Sequence, residues 1–338
     1  ANNDIHAGHA LNKIVKDMII RYKSLKGFYT PFTPGWDTHG LPIENAVVKN
    51  GVDRKTTPIV DFRKQCAKYA FKQVDRQRKQ LLRLGVVGDY ENPYITLTKE
   101  YEKGQIEIFA DMALKGYIYK GLKPVNWSPS SESALAEAEI EYKDVTSSSI
   151  YVAFQVVDGK NVLSPDCELV IWTTTPWTLP SNLALCVNQD ETYVKVKTIN
   201  EKLGKEEHYI LAKALLSVLD GEYEIEKEFL GKELEYREYE PLFDFKKLDK
   251  KHYYVVCDSY VTLTDGTGIV HIAPAFGEDD ARVGRKYDLP FLQLVNSKGE
   301  MTEETPWAGM FCKKADKEVL LALDKENKLF KVLNYEHS

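Results

Sequence analysis

The sequence is poor in cysteine and contains no long hydrophobic run. Its five cysteines are odd in number and widely separated, and no two of them form a C-x-x-C pair. Neither a disulfide framework nor a zinc knuckle is therefore indicated, and reduced thiols in a cytoplasmic protein are expected. No apolar stretch approaches the roughly 20 residues that cross a bilayer, so no membrane contact is expected. The cysteines are Cys66, Cys167, Cys186, Cys257 and Cys312.

The start of the chain and its charge set further limits. No basic segment followed by an apolar one is present, so no signal peptide is predicted, and the lack of an initial Met suggests a piece of a longer protein. A net charge of −6 argues against non-specific coating of nucleic acid, although it is compatible with a local basic groove. The 338 residues, 43% of them hydrophobic, are enough for two domains.

A short histidine motif opens the first predicted helix, because residues 2 to 22 are predicted to form a loop that enters a helix. His6 and His9 are three residues apart, so that on a helical turn they project to one side, and Gly8 lets a flat ligand approach the backbone. The N–H groups and the positive dipole end of the helix favour a phosphate there. Two other interpretations stay open. The histidines could be metal ligands, with His39 as a third, or plain surface residues, which is the commoner outcome for so short a motif.

Residues 34 to 44 form a run rich in glycine and proline, a composition that disfavours a helix interior. The run follows a predicted strand over residues 27 to 32. Asp37 and His39 then stand where a strand gives way to a loop, which is where active-site groups lie in open α/β sheets. The alternative for Asp37 is a helix cap or a loop salt bridge.

The spacing of apolar residues predicts a mainly helical first part and a β-rich second part. Helices are predicted over residues 57 to 85, with many basic side chains, and over residues 99 to 115, with Ile106, Phe109, Met112 and Ala113 inward. Alternating glutamates predict a half-exposed ribbon, and a hinge, at residues 136 to 141. From about residue 147 short β-rich runs predict a separate, barrel-like domain. Its predicted strands span residues 149–157, 169–173, 184–187, 192–199, 223–229, 252–257 and 268–272, and its helices 212–219, 278–287 and 315–325.

Two motifs in the second part carry candidate chemistry. Thr173, Thr174 and Thr175 run off a predicted strand, and the prolines that follow open the loop, so that three hydroxyls are available to a polar ligand such as a ribose end. His271 ends another predicted strand, and Asp280 lies in the first turn of the next helix. The alternatives are a threonine-rich edge strand without a ligand and, for the acidic pair that ends at Asp280, stabilisation of the helix dipole.

The content and order of these motifs resemble the class I aminoacyl-tRNA synthetases, and among them the isoleucyl type. The resemblance implies that His6, Gly8 and His9 contact ATP and that the two histidines act in catalysis. Asp37 is implied to bind the α-amino group of the amino acid, which suits a carboxylate that holds an ammonium through charge-assisted hydrogen bonds. The implied amino-acid site consists of Gly35, Asp37 and His39.

The segment that contains Ser128 and Ser131 also resembles the family, with one departure. Many relatives carry zinc-binding cysteines at these two positions. Serine is not a competent structural zinc ligand, so no zinc and no other metal site is predicted in this chain.

The two motifs of the second part resemble the editing domain inserted into isoleucyl-type enzymes. By this resemblance the three threonines bind the terminal adenosine of the tRNA and flank the ester, His271 limits the pocket, and Asp280 binds the α-ammonium of the mischarged amino acid. An alternative is a thiol mechanism in which Cys257 pairs with His271, but only the composition supports it. Direct attack by water, oriented by the threonines and by a hydroxyl of the tRNA, is therefore expected. The implied editing site consists of Thr173, Thr174, Thr175, Asn182, His271 and Asp280, with Thr174 and Asp280 as its catalytic members.

The resemblance covers the whole chain and implies an α/β fold in two parts. Residues 1–146 are expected to form the N-terminal half of a Rossmann-like catalytic domain, left incomplete, and residues 147–338 the barrel-like editing domain. The protein is expected to activate isoleucine with ATP and Mg²⁺, to charge tRNA(Ile), and to hydrolyse valyl-tRNA(Ile). This chain alone is not expected to form the adenylate. A cytoplasmic monomer is expected.

Two alternatives stay open. One is a valyl-type synthetase, against which the residues around Asp37 and Thr175 speak. The other is a non-catalytic module that binds tRNA. A Rossmann dehydrogenase is disfavoured, because no G-x-G-x-x-G occurs in the first βα unit.

Overall fold

The computed structural model describes residues 2–160, 162–200 and 203–337. The chain forms two compact units, Ala1–Gly121 and Leu122–Ser338. The two end residues, Ala1 and Ser338, lie outside the described residues. The predicted domain limit at residues 146 and 147 falls near the start of the first long strand, and it stays a prediction.

The first unit is mainly helical, because three long segments carry helix-forming residues with few glycines or prolines inside them. Its two short strands pair in parallel, with two helices between them along the chain. This strand–helix–strand arrangement is the kind of connection that builds a parallel sheet. The elements are α1 (Ala7–Leu25), β1 (Gly35–Trp36), α2 (Leu41–Lys49), α3 (Ile59–Arg83), β2 (Tyr94–Ile95) and α4 (Lys99–Leu114).

Three predictions for the first unit are wrong in detail. Residues 27–32 contain no strand, and the strand lies at Gly35–Trp36, directly after Pro34. The glycine- and proline-rich run ends inside a helix, since Pro42 occupies the first turn of α2, where its missing N–H costs nothing. The face of α4 that was predicted to point inward is exposed, with exposed fractions of 67% for Ile106 and 59% for Phe109. Met112 and Ala113 are exposed as well.

The second unit is dominated by strands rich in β-branched and aromatic residues. Three 3₁₀ segments, Glu137–Glu139, Pro176–Ser181 and Lys213–Val218, interrupt them. The strands and helices are β3 (Trp127–Ser128), β4 (Ser133–Ala134), β5 (Val145–Asp158), β6 (Cys167–Thr173), β7 (Ala184–Val187), β8 (Thr192–Asn200), β9 (Lys205–Ala212), β10 (Tyr223–Leu230), α5 (Gly231–Leu234), β11 (Glu238–Tyr239), β12 (Tyr254–Cys257), β13 (Ile269–Ile272), α6 (Glu278–Lys286), α7 (Cys312–Lys325) and β14 (Leu329–His337).

Ten of these strands form one mixed sheet in the order β10-β8-β9-β6-β5-β11-β12-β7-β13, with β14 paired to β5. The pairs β6–β9 and β7–β12 are parallel and the others antiparallel. The sheet curls, because β13 at its end also lies close to β6 in its middle. Phe154, Ile171, Leu185 and Ile269 therefore share one core although they come from distant strands.

A second core lies on the other face of β7 and β12. Ala184 and Cys186 of β7 contribute to it, and so does Val283 of α6, which packs α6 against this part of the sheet. Strand β7 is thus buried on both faces, which explains its short apolar sequence without polar alternation.

The structure corrects two predicted elements of the second unit and adds several others. The ribbon predicted at residues 136–141 is a 3₁₀ segment, Glu137–Glu139, because Glu139 bonds back to the N–H of Ala136. The helix predicted at 212–219 is also a 3₁₀ segment. The strands β3, β4, β9, β11 and β14 and the short helix α5 lie outside the predicted ranges. Among the described residues, none of the helices is long and apolar enough to cross a membrane.

Candidate functional site

The threonine-rich loop connects β6 to β7 on the second unit. Thr173 is the last residue of β6, and the 3₁₀ segment Pro176–Ser181 leads directly into β7. Pro176 begins that segment and has no N–H to continue the ladder of β6. The chain therefore leaves the sheet at the threonines and returns to it at Asn182.

The hydroxyls of this loop form a connected series. Oγ1 of Thr173 lies 3.2 Å from Oγ1 of Thr175 and also accepts the N–H of Thr175 at 3.1 Å. Oγ1 of Thr175 lies 3.4 Å from Oγ1 of Thr178. Thr173 is buried, Thr174 is half-buried and Thr175 is exposed, whereas Thr178 is buried again, so the series reaches the surface at Thr175 and returns to the interior at Thr178.

His271 meets this series from the neighbouring strand. It is buried, with 8% of its surface exposed, and its Nε2 lies 2.9 Å from Oγ1 of Thr178. Pairing between β13 and β7 brings it there, because β7 follows the threonine loop in the chain. Burial lowers the pKa of His271 to about 4, so the imidazole is neutral at pH 7.

Asp280 lies in the first turn of α6, the helix that follows β13. Its Oδ1 accepts the N–H of Ala273 at 2.8 Å, which places the carboxyl group at the end of β13, two residues beyond His271. Burial raises the pKa of Asp280 above its ordinary value. Gly277 makes room for it, since a Cβ there would lie 2.1 Å from Oδ2 of Asp280. A half-buried carboxyl group at a helix start is suited to bind a cation.

Asn182 is buried where the loop rejoins the sheet. Its Nδ2 donates to the carbonyl oxygen of Ala184 at 2.9 Å, and its Oδ1 accepts the hydroxyl proton of Tyr239 at 2.7 Å. These bonds fix the end of the loop where it rejoins the sheet, at the residue that is predicted to shape the site.

Helix α7 holds the loop from its other side. The N–H of Trp177 donates to Oδ1 of Asp316 at 2.8 Å, and the Trp177 ring packs edge-on against Phe276 at 5.0 Å between centroids. The sequence did not single out Thr178, Tyr239 or Asp316. For Thr178 a signal existed, namely its place within the same threonine- and proline-rich run.

Cys257 is not placed to act as a nucleophile. Its Sγ lies 3.7 Å from the carbonyl oxygen of Gly231, and burial raises the pKa of the thiol to about 12. The reactive thiolate is therefore scarce at neutral pH. This favours the predicted attack by water.

The histidine motif of the first unit caps α1. Nδ1 of His6 accepts the N–H of Gly8 at 3.1 Å, and Nδ1 of His9 accepts the N–H of His6 at 3.2 Å. The two rings lie 3.9 Å apart, and burial with the proximity of His6 lowers the pKa of His9. Both rings thus lie together at the positive end of α1, as predicted from their spacing.

The second motif of the first unit lies at the end of β1. Asp37 accepts the N–H of His39 at 3.2 Å, and Nε2 of His39 lies 3.0 Å from the carbonyl oxygen of Thr96. His39 borders a cavity of about 280 Å³, which Glu44 and Phe62 also line. Gly35 is required by its neighbour, because a Cβ there would lie 2.0 Å from the ring of Tyr94.

Gln77 of α3 connects the two motifs of the first unit. Its Oε1 accepts the indole N–H of Trp36 at 3.1 Å, and its Nε2 donates to the carbonyl oxygens of Asn2 and Asn3 at 3.2 and 2.9 Å. The segment before His6 and the strand before Asp37 are therefore held by one buried side chain.

No cluster of three or more metal-binding side chains occurs in the part of the chain that the structure describes. Ser128 lies 3.3 Å from the hydroxyl oxygen of Ser130 and accepts the N–H of Ser131 at 3.3 Å, as in an ordinary turn. The predicted lack of zinc stays a prediction.

Comparison with known proteins decides the family. A family model described as class I tRNA synthetases of the I, L, M and V types matches residues 1–265. The chain belongs to the class I tRNA synthetases. The match together with the mixed α/β structure confirms the predicted fold class.

Among class I tRNA synthetases, isoleucine–tRNA ligases are similar to the whole chain. The protein of Geobacillus thermodenitrificans is 54% identical over 345 residues, and that of Geobacillus kaustophilus 53%. All of this chain and 36% of each relative are covered, so the chain spans about a third of their length. A solved leucyl-tRNA synthetase editing domain from P. knowlesi is 16% identical, with a TM-score of 0.41, over 58% of this chain and 98% of that one.

Proposed function

We propose that the chain is part of an isoleucine–tRNA ligase and that its second unit hydrolyses mischarged valyl-tRNA(Ile). The observation that carries the editing proposal is the series of hydroxyls from Thr173 to His271, with the carboxyl group of Asp280 beside the same strand end. The similarity of the whole chain to isoleucine–tRNA ligases supports the choice of amino acid.

In the proposed hydrolysis a water molecule attacks the carbonyl carbon of the ester that joins the amino acid to the tRNA. The bond from that carbon to the ribose oxygen breaks, the ribose oxygen takes one proton of the water, and valine leaves as a free carboxylate while the second proton of the water passes to the solvent. Thr174 and Thr175 provide neutral hydroxyls for the ribose and the water, and Asp280 binds the α-ammonium. The neutral, buried imidazole of His271 limits the size of the side chain that enters.

Such a site has an energetic purpose. A missing methylene changes binding to an apolar pocket by only about 1–3 kcal/mol, and isoleucine against valine is itself the standard illustration of this limit. A second site that accepts the smaller amino acid and excludes the larger one removes the errors that the first site cannot avoid.

For the first unit we propose that His6, Gly8 and His9 bind ATP and that Gly35, Asp37 and His39 bind isoleucine. The paired rings of His6 and His9 at the N-terminus of α1 support this role, because that helix end favours phosphate. Mg²⁺ would supply charge neutralisation of the phosphates in the whole enzyme. The lack of adenylate formation by the chain alone stays a prediction, which ATP–pyrophosphate exchange tests.

The proposed partners of the whole protein are tRNA(Ile), isoleucine and ATP. We propose a cytoplasmic monomer without membrane contact. The free thiols of all five cysteines support a reducing compartment.

The deciding experiment measures hydrolysis of valyl-tRNA(Ile) by the chain and by two variants. Asp280→Asn removes the charge that binds the ammonium, and we expect a loss of about 10- to 100-fold, the usual effect of one hydrogen bond to a charged group. Glu278→Gln is the matched control, since Glu278 lies in the same first turn with 78% of its side chain exposed, and it is expected to keep the parent rate.

Unchanged hydrolysis by Asp280→Asn would contradict the role of that carboxylate. Retention of tRNA on a filter without any hydrolysis by the parent chain would contradict the editing proposal and favour a binding module.

A further inference from the structure

Thr178 occupies the point where the threonine loop meets His271. It lies in the 3₁₀ segment Pro176–Ser181 and is buried, with 5% of its surface exposed. Its Oγ1 lies 2.8 Å from the carbonyl oxygen of Thr175 and 2.9 Å from Nε2 of His271. The residue is thus bonded both to its own loop and to a strand 93 positions further along the chain.

The number of available protons determines the direction of both bonds. A carbonyl oxygen cannot donate, so the short contact to Thr175 requires the single hydroxyl proton of Thr178. The oxygen of Thr178 then faces Nε2 of His271 with a lone pair. Nε2 must therefore carry a proton, and the other ring nitrogen, Nδ1, carries none in the neutral imidazole.

Nδ1 of His271 is left as a buried acceptor. No donor for it exists among the described residues of the chain, and the atom has almost no exposed surface. A buried acceptor without a donor is costly, and such atoms in native proteins are usually satisfied by a ligand or an ordered water. Nε2 of the ring is thus held by Thr178, and Nδ1 is available to accept a hydrogen bond from a ligand or a water molecule.

We propose that Thr178 is a positioning residue that sets the specificity of the editing site through His271. It holds the imidazole in the neutral Nε2–H form and fixes the plane of the ring. The inference rests on the proposed function, in which His271 excludes the isoleucine side chain from the pocket. Without the Thr178 hydroxyl the imidazole ring is free to turn about its Cβ–Cγ bond. The ring then no longer excludes the larger amino acid.

Two substitutions separate this role from ordinary packing. Thr178→Val keeps the shape of the side chain and removes both hydrogen bonds, whereas Thr178→Ser keeps the hydroxyl and loses only a methyl group. Thermal unfolding of each variant first establishes that the fold is kept. Thr264→Val serves as a control for a threonine-to-valine change at an exposed position of the same unit.

The first readout is ¹⁵N NMR of the histidine side chains at pH 7, with His271→Gln for assignment. In the parent chain and in Thr178→Ser we expect a slowly exchanging Nε2–H signal and an unprotonated Nδ1. In Thr178→Val we expect the Nε2–H signal to be lost through exchange with water. An Nδ1–H form or an imidazolium in the parent chain would overturn the proposal whatever the variants do.

The second readout is the ratio of kcat/KM for valyl-tRNA(Ile) to that for isoleucyl-tRNA(Ile). We expect Thr178→Val to lower this ratio about tenfold, chiefly through faster hydrolysis of the isoleucyl ester, and Thr178→Ser to restore it. An unchanged ratio in Thr178→Val overturns the specificity role. If the parent chain hydrolyses neither ester, the proposed function fails, and the specificity role fails with it, while the NMR signals still decide whether Thr178 sets the form of His271.

Discussion

Asp316 is a half-buried carboxyl group that accepts the N–H of Trp177 at 2.8 Å. Burial raises its pKa to about 6, although that N–H and the charge of Lys313 act in the opposite direction. The Asp316 carboxyl group therefore links α7 to the threonine loop, and its ionisation lowers the free energy of unfolding.

The sign of this cost follows from proton binding. Between pH 4 and pH 6 the folded chain keeps the proton of Asp316 and the unfolded chain has released it, so the contribution to the free energy of unfolding falls as pH rises through this range. We expect Asp316→Asn, which keeps an acceptor for Trp177, to be more stable than the parent by about 1 to 2 kcal/mol at pH 7 and equally stable near pH 4.

Urea unfolding of the parent and of Asp316→Asn at both pH values checks this expectation. Asp316→Ala is the companion variant, because it removes the charge and the acceptor together and leaves the N–H of Trp177 without its partner. A difference between parent and Asn variant that does not depend on pH would contradict the assignment.

Helix α6 is oriented by charge pairs at its middle and end. Asp258, directly after β12, is 6% exposed and accepts two N–H groups of Arg282 at 2.9 and 3.0 Å. Lys286 reaches the same carboxylate at 3.4 Å. These bonds lower the pKa of Asp258 to about 2. Because Asp280 lies in the first turn of α6, the pair between Asp258 and Arg282 also determines where the Asp280 carboxyl group lies.

We expect Asp258→Ala to lower the free energy of unfolding by about 1 to 2 kcal/mol at pH 7, a value reduced for the partial exposure of Arg282. Since the pKa is lowered on folding, the contribution is fully present above pH 4 and is lost as pH falls from 4 to 2. Chemical unfolding at pH 7 measures it.

Asp279→Ala is the matched control, because Asp279 pairs with the same Arg282 at 3.0 Å but is 55% exposed in its side chain. Its effect is expected to stay below that of Asp258→Ala. Equal effects of the two substitutions would show that burial of Asp258 contributes nothing.

The two units of the molecule differ in how much of their apolar surface is buried. Helices α1 and α4 have no buried residues, and Leu11, Met18 and Ile106 are more than half exposed. The strands β5 to β9 instead contain many residues with no exposed surface at all. Local stability follows buried apolar contact, so the first unit is expected to open more readily than the second.

Hydrogen exchange with mass spectrometry tests this difference on two helices of similar length. Helix α4 (Lys99–Leu114) has no buried residue, whereas α7 (Cys312–Lys325) buries Cys312, Ala315, Val319 and Leu323. We expect the amides of α4 to exchange faster than those of α7, although both are helical. Equal protection of the two helices would contradict the expectation.

Local pattern was enough to predict several features of this protein from its sequence. Strand β7 lies at the predicted residues, and α3, α6 and β8 are within two residues of them, because periodicity and turn residues act over short distances. The order of the motifs was enough to indicate the family, which the family model confirms.

Only the tertiary structure decided which side chains meet. The bond between Thr178 and His271 joins residues 93 positions apart, and that between Trp177 and Asp316 joins residues 139 positions apart. Helical spacing likewise indicated an apolar face on α4 but not whether anything covers it. Sequence pattern determines the faces of single elements, whereas contacts across the sheet depend on how distant elements pack, which no short-range pattern contains.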